Sequence, residues 1–267
     1  PYPYPLRSPW GPDPKETADH TLRFLQTCLS DPASGWRPPA AVVVEPVQGN
    51  GGVIPAPEGF LAGLRSLCDE HGMVLILDEV MSGFHRTGPR FAYEHEPDVR
   101  PDILVLGKSL SSGLPLAACV IRHSIGEASP PTTETSTYAG NLVACAAALA
   151  AQDVYEAEGL GERAAELGSS FLDRLRSVAQ RHAIVGEVRG RGLMVGVELV
   201  MPDGSGDPLP RAADASRMAI QRGLLVYPGG HWPNVIAYLP PLIVDERDVA
   251  VAVEITDAIL SELAAAL

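Results

Sequence analysis

Apolar positions along this chain fall into two kinds of run. Some recur at helical spacing: Ala18, Leu22, Leu25 and Leu29 within 15–29, then Phe60, Leu61, Leu64, Leu67 and Cys68 between Pro57 and Gly72. Recurrence every three or four residues puts each set on one helix face, with Pro suited to a start and Gly to a stop. Others are short and unbroken, at 41–44, 73–77, 103–106 and 117–121. Unbroken apolar runs of this length suit strands buried on both faces, as in a parallel sheet. Strand alternating with helix predicts an α/β architecture: a mostly parallel sheet with flanking helices.

The pattern changes in the second half. Asn141 is placed to cap an Ala-rich helix reaching about 157, and a helix over about 160–182 carries Leu167, Phe171, Leu175 and Val178. Strands follow near 193–200, 224–227 and 235–239, with a Gly/Pro/Asp loop at 202–210 and a helix around 211–222. A closing helix over about 245–265 presents Val249, Ala252, Ile255, Ile259 and Leu263. This predicts a large domain over 1–155, opening on a Pro-rich arm, and a smaller C-terminal α+β domain over 156–267. No internal repeat is visible.

Composition narrows the function classes. The 267 residues are 46% hydrophobic with 26 Gly and 25 Pro, a balance suited to a loop-rich α/β enzyme. A net charge of −13 argues against nucleic acid, whose phosphates recruit a surplus of Lys and Arg. It leaves room for a small anionic ligand held in a local pocket. Cys28, Cys68, Cys119 and Cys145 lie far apart without ligand-like spacing to histidine. They read as buried reduced thiols in a cytoplasmic protein, with no metal site. No apolar run reaches membrane-span length, and the opening has no signal-peptide shape. An opening at Pro1 without an initiator Met is expected of a processed chain or of a piece of something longer.

Three residues stand at the carboxyl ends of predicted strands: Glu45, Asp78 and Lys108. In open α/β sheets, chemistry gathers at those ends. A carboxylate and an amine on two such ends suit pyridoxal phosphate. The amine forms a Schiff base with the aldehyde, and the carboxylate holds the pyridine nitrogen protonated so that the ring accepts electrons. Alone, Lys108 would read as a surface lysine after a strand.

The surrounding motifs decide otherwise. The stretch 75–88, Leu-Ile-Leu-Asp-Glu-Val-Met-Ser-Gly-Phe-His-Arg-Thr-Gly, and the stretch 101–108, Pro-Asp-Ile-Leu-Val-Leu-Gly-Lys, strongly resemble class III aminotransferases of fold type I. So do Glu-Pro-Val-Gln-Gly at 45–49, Ser-Thr-Tyr-Ala-Gly-Asn at 136–141, Val-Arg-Gly-Arg-Gly-Leu at 188–193 and Leu-Pro-Pro-Leu at 239–242. The resemblance runs over nearly the whole chain in the family's order. It implies that Lys108 is the Schiff-base lysine and proton-transfer base, and that Asp78 pairs with the pyridine nitrogen. It implies that Val80 packs on the ring and that Thr137 reaches the cofactor phosphate from a neighbouring subunit of a homodimer. Glu45 matches a substrate-side glutamate. Plain core packing is the competing reading of Val80, and helix capping that of Thr137. His85 and Arg86 read as loop or interface residues, and Arg189 and Arg191 as braces rather than substrate contacts.

Three departures qualify the resemblance. Met81 stands in the cofactor-binding segment where many relatives carry a Gln that bonds the cofactor's phenolic oxygen; Met cannot donate that bond, and glutamate-1-semialdehyde aminomutases are similar to this chain here. Ala237 stands where many aminotransferases carry the arginine that grips an α-carboxylate, and Ala offers neither charge nor geometry. Racemases of the class, including α-amino-ε-caprolactam racemase, are similar here. The chain also resembles only the later part of a full enzyme, which makes its large domain incomplete and an exposed apolar face expected. The expected activity is amino transfer between a primary amine or amino acid and a keto acid or aldehyde. Racemase or aminomutase chemistry is the alternative within enzymes. Outside them stands a non-catalytic truncated subunit, with a separate chain supplying the missing N-terminal portion as the accompanying partner expectation.

Overall fold

The computed structural model describes residues 1–128, 130 and 136–267. They divide into two compact units. One comprises Pro1–Pro46, Ala56–Phe84 and Arg90–Glu158, the other Val47–Pro55, His85–Pro89 and Gly159–Leu267. Along the chain the strands are β1 (Ala41–Val44), β2 (Val47–Gln48), β3 (Ile54–Pro55), β4 (Val74–Asp78), β5 (Ile103–Leu106), β6 (Ala118–Ile121), β7 (Val185–Arg191), β8 (Met194–Leu199), β9 (Tyr227–Gly229) and β10 (Val235–Tyr238). The helices are α1 (Pro14–Ser30), α2 (Phe60–His71), α3 (His123–Gly126), α4 (Leu142–Ala157), α5 (Leu160–Ala179), α6 (Ala212–Gln221) and α7 (Glu246–Ala265).

In the first unit the sheet order is β1-β4-β5-β6. β1, β4 and β5 run parallel, and β6 returns antiparallel beside β5. α1 starts at Asp13, whose carboxylate accepts the Glu16 N–H at 2.8 Å, with Pro14 where its missing N–H costs nothing. α1 packs on α2 so closely that a Cβ at Gly63 would collide with the Leu22 side chain. α2 in turn packs on β4. One face of the sheet, carrying Val44, Leu75, Leu77, Leu104 and Leu106, is buried. Each large apolar side chain buried here contributes about 1.5–3 kcal/mol of hydrophobic stabilisation.

The opposite face departs from the expectation of strands buried on both sides and agrees with that of an exposed apolar face. Register places Val43, Ile76, Ile103 and Ile121 side by side on it, with Asp78, Val105 and Cys119 in the next row. These strands have the composition of doubly buried strands, yet Val43 is 66% exposed and its isoleucine neighbours are half-buried. No element of the described residues covers this face fully. The thiols also depart from expectation: Cys68 is buried, Cys28 and Cys145 are half-buried and Cys119 is exposed.

Asp102 locks the amino ends of β4 and β5. Its Oδ2 accepts the Leu75 N–H at 2.8 Å and Arg65 at 2.7 Å, and its Oδ1 pairs with Arg122 at 2.9 Å. Burial alone would raise its pKa, but the Leu75 N–H and the two guanidinium groups hold it below the ordinary carboxylate value.

In the second unit an antiparallel sheet runs β7-β8-β10-β9, with α5 packed on β7 and β8 and α7 packed on α5 and α6. The β2–β3 ribbon belongs to this unit, and β3 packs on β7. β7 escaped the apolar pattern because Val185–Arg191 holds two glycines and three charged residues; pairing with the fully buried β8 makes it a strand. The strand expected at 224–227 begins only at Tyr227. Gly223 and Leu224 are used to close α6, donating to the carbonyls of Ile220 and Ala219. α5 stops at Ala179, short of the expected 182.

Candidate functional site

β4 ends at Asp78, in register with Val105 of β5, and β5 runs out into Gly107 and Lys108. Adjacent strands lie about 4.8 Å apart, so these two parallel strands deliver a carboxylate and an amine to the same edge of the sheet. Glu45 follows β1 on the other side of β4, at the same edge. The structure therefore brings Glu45, Asp78 and Lys108 to three neighbouring strand ends.

The loops beyond those ends interlock. Asp78 Oδ1 accepts the Val80 N–H at 3.0 Å, which turns the chain immediately after the strand. A Cβ at Gly107 would meet Val80 Cγ1 at 3.3 Å, so glycine lets the segment before Lys108 lie against Val80. Met81 is half-buried in the same turn. Lys108 itself has φ +44°, a left-handed conformation costing a non-glycine residue about 1–3 kcal/mol. It opens a 3-10 turn, Lys108–Leu110, closed by Leu110 N–H donating to Gly107 O at 2.9 Å. α4 braces that turn through Tyr155, whose hydroxyl donates to Ser109 O at 2.8 Å. Backbone strain held by a second element is the pattern expected where a side chain is aimed for use.

Thr137 is exposed, in a turn preceding the Asn141 cap of α4. Among the described residues no hydrogen bond joins it to Asp78, Val80 or Lys108. Part of the polar loop expected over 127–136, namely 129 and 131–135, lies outside the described residues.

In the second unit Arg189 is a brace. It bonds Glu187 at 2.7 Å, the fully buried Glu198 at 2.6 Å, and the carbonyls of Gly52 and Val53. Arg86 donates to the Pro240 carbonyl, and His85 Nδ1 lies 3.1 Å from Gly88 O. Ala237 is buried in β10 opposite Gly196 of β8. A cleft of about 460 Å³ in this unit, lined by Arg163, Glu166 and Asp245 among others, includes none of the candidate site residues named from the sequence.

Sequence reasoning passed over Glu79. Its side chain is fully buried, on the sheet face opposite Asp78. Burial pushes its pKa up to about 7, against the lowering effect of hydrogen bonds from Ser82 and the N–H groups of Tyr93 and Ala92. The signal available was the acid pair Asp78-Glu79 closing an apolar run, since one of two successive strand side chains points into the core.

Comparison with known proteins shows the family. Residues 12–260 match the family described as aminotransferase class-III. A diaminobutyrate–2-oxoglutarate aminotransferase of Rhizobium meliloti (strain 1021) is 38% identical over 93% of this chain and 54% of its own length. An alanine/serine racemase of Pyrococcus horikoshii is 35% identical over 98% of this chain and 56% of its own. Among solved structures, an amine transaminase from an uncultivated Pseudomonas species in its PLP-bound form superposes with a TM-score of 0.88. It is 37% identical and covered over 98% of this chain and 60% of its own. The chain spans about half the length of the curated relatives it matches.

Proposed function

We propose, since the chain belongs to the class III aminotransferase family, that it carries the lysine-bearing part of a pyridoxal-phosphate-dependent aminotransferase. The reaction moves an amino group between a primary amine or amino acid and a keto acid or aldehyde. One observation carries the reading: Asp78 and Lys108 leave adjacent hydrogen-bonded parallel strands at the same end, and the Val80–Gly107 contact packs their loops together.

The residues fit the cofactor. A carboxylate, an amine and an apolar side chain are the donor set that a cationic pyridine ring with an aldehyde requires. When bound, the cofactor supplies an electron sink that stabilises negative charge at the substrate α-carbon. Lys108 would hold it covalently and, once displaced by substrate, would take and return the α-carbon proton at Nζ. Asp78 would keep the proton on the ring nitrogen, because a nearby anion favours the cationic form. Val80 would lie against the ring, and Met81 beside it would bring bulk without a hydrogen bond to an oxygen. Glu45 would face the substrate. Thr137, from a second copy in a homodimer, would offer its hydroxyl to the phosphate. A cytoplasmic location belongs to the same proposal and is supported by the four free cysteines.

Ala237 favours a second reading. Without a guanidinium there, an α-carboxylate is not gripped from β10, and the similarity to an alanine/serine racemase covers 98% of this chain. The test is to add pyridoxal phosphate, record the visible absorbance, reduce with borohydride and map the label. A label on Lys108, lost in Lys108→Ala, is expected; a label elsewhere would sink the assignment. Amine alone should then yield a keto product and pyridoxamine phosphate. Solvent deuterium entering the α-position without keto product would favour the racemase.

A further inference from the structure

One buried acid has no part in the chemistry above. Glu79 follows Asp78 directly, and its main chain still belongs to the sheet: its N–H donates to Val105 O at 2.9 Å. Its side chain gathers hydrogen bonds from two separate stretches. Oε2 accepts the Ser82 hydroxyl at 2.5 Å, from the turn that carries Val80 and Met81. Oε1 accepts the Tyr93 N–H at 2.8 Å, from the 3-10 segment Ala92–His95, where the Ala92 N–H also contributes. The Glu79 carbonyl accepts the Gly83 N–H at 3.0 Å, which closes the turn. Among the described residues the charged group acting on its carboxyl is Glu94, of like sign, and the hydrogen bonds it accepts come from neutral donors. A buried carboxyl held in this way costs stability that an apolar side chain would not. Its retention calls for a positional reason.

The alternation of strand side chains supplies one. Residues 78 and 79 point to opposite sheet faces, so fixing the direction of one fixes the other. With Glu79 tied at both oxygens beneath the sheet, Asp78 is held pointing out of the other face, where its Oδ1 meets the Val80 N–H. Val80 in turn lies against Gly107, one residue before Lys108. We propose that Glu79 is the positioning residue that aims the Asp78 carboxylate and the Val80 side chain toward the Lys108 loop. Its use in catalysis rests on the function proposed above; its structural action does not.

The two are separable by experiment. In the cofactor-free chain, amide hydrogen exchange at Val80 reports directly on the Asp78–Val80 hydrogen bond. Glu79→Ala is expected to speed exchange at Val80 by tenfold or more while amides of β1 change by less than twofold. Glu79→Gln, which keeps an acceptor for the Tyr93 N–H, should restore most of the protection. If Glu79→Ala does not fold, Ser82→Ala carries the test, with a several-fold rise at Val80 and none in β1. An unchanged Val80 rate, or an equal rise at every amide, would overturn the proposal. With pyridoxal phosphate added, labelling at Lys108 should persist in Glu79→Gln, and the pH midpoint of the visible absorbance should shift more in Glu79→Ala than in Glu79→Gln. Failure of the unaltered chain to label at Lys108 would defeat the proposed function and leave the exchange result standing on its own.

Discussion

Glu79 makes pH a probe of the site. Its pKa in the folded chain, about 7, lies above the ordinary 4.5, so the folded state holds a proton that the unfolded state releases. The stabilisation linked to that proton is complete below pH 4.5 and is lost as pH rises through 7, on the order of 3 kcal/mol in all. Urea unfolding at pH 5 and pH 8 should show this fall, and Glu79→Gln should flatten it; an equal fall in the variant would assign it elsewhere. Lys108 and Asp78 were legible in the sequence because strand ends announce themselves through unbroken apolar runs. Glu79 was not, because the same run hides which of two successive acids turns inward until the opposite face has been assigned to the core.

The elements show which local signals survive folding. Gly72 and Asn141 end and begin their helices as their chemistry dictates, and β1 and β5 coincide with the apolar runs that predicted them. β7 was invisible because its pairing partner, rather than its own composition, supplies the burial. The brace from α4 was equally silent, since Tyr155 and Ser109 are joined only by tertiary structure. Tyr155→Phe removes that bond and keeps the ring. It is expected to cost about 1 kcal/mol in chemical denaturation and to speed amide exchange at Leu110, whose N–H closes the turn containing Lys108. If Leu110 keeps its protection, the turn holds without α4.

For the molecule as a whole, the partly uncovered row of Val43, Ile76, Ile103 and Ile121, exposed at Val43 and half-buried at the isoleucines, accompanies a chain that spans about half the length of its relatives. Contiguous apolar surface of this kind attracts hydrophobic dyes and promotes association. The 267-residue chain should therefore enhance anilinonaphthalene sulfonate fluorescence at native pH, and Val43→Lys should reduce that signal by half or more without lowering the unfolding midpoint. No difference between the two would show that the row is covered in solution. Strand composition alone predicted burial on both faces; the exposure was legible only through the resemblance to a longer family.

The grip of Arg189 on Gly52 and Val53 also sets a schedule for biosynthesis. Its partners lie 137 and 136 positions earlier in the chain. At about 5–20 residues per second on the ribosome, the β2–β3 ribbon waits roughly 7–27 s after its own synthesis for the guanidinium that secures it. During that interval the ribbon is a natural client for chaperones.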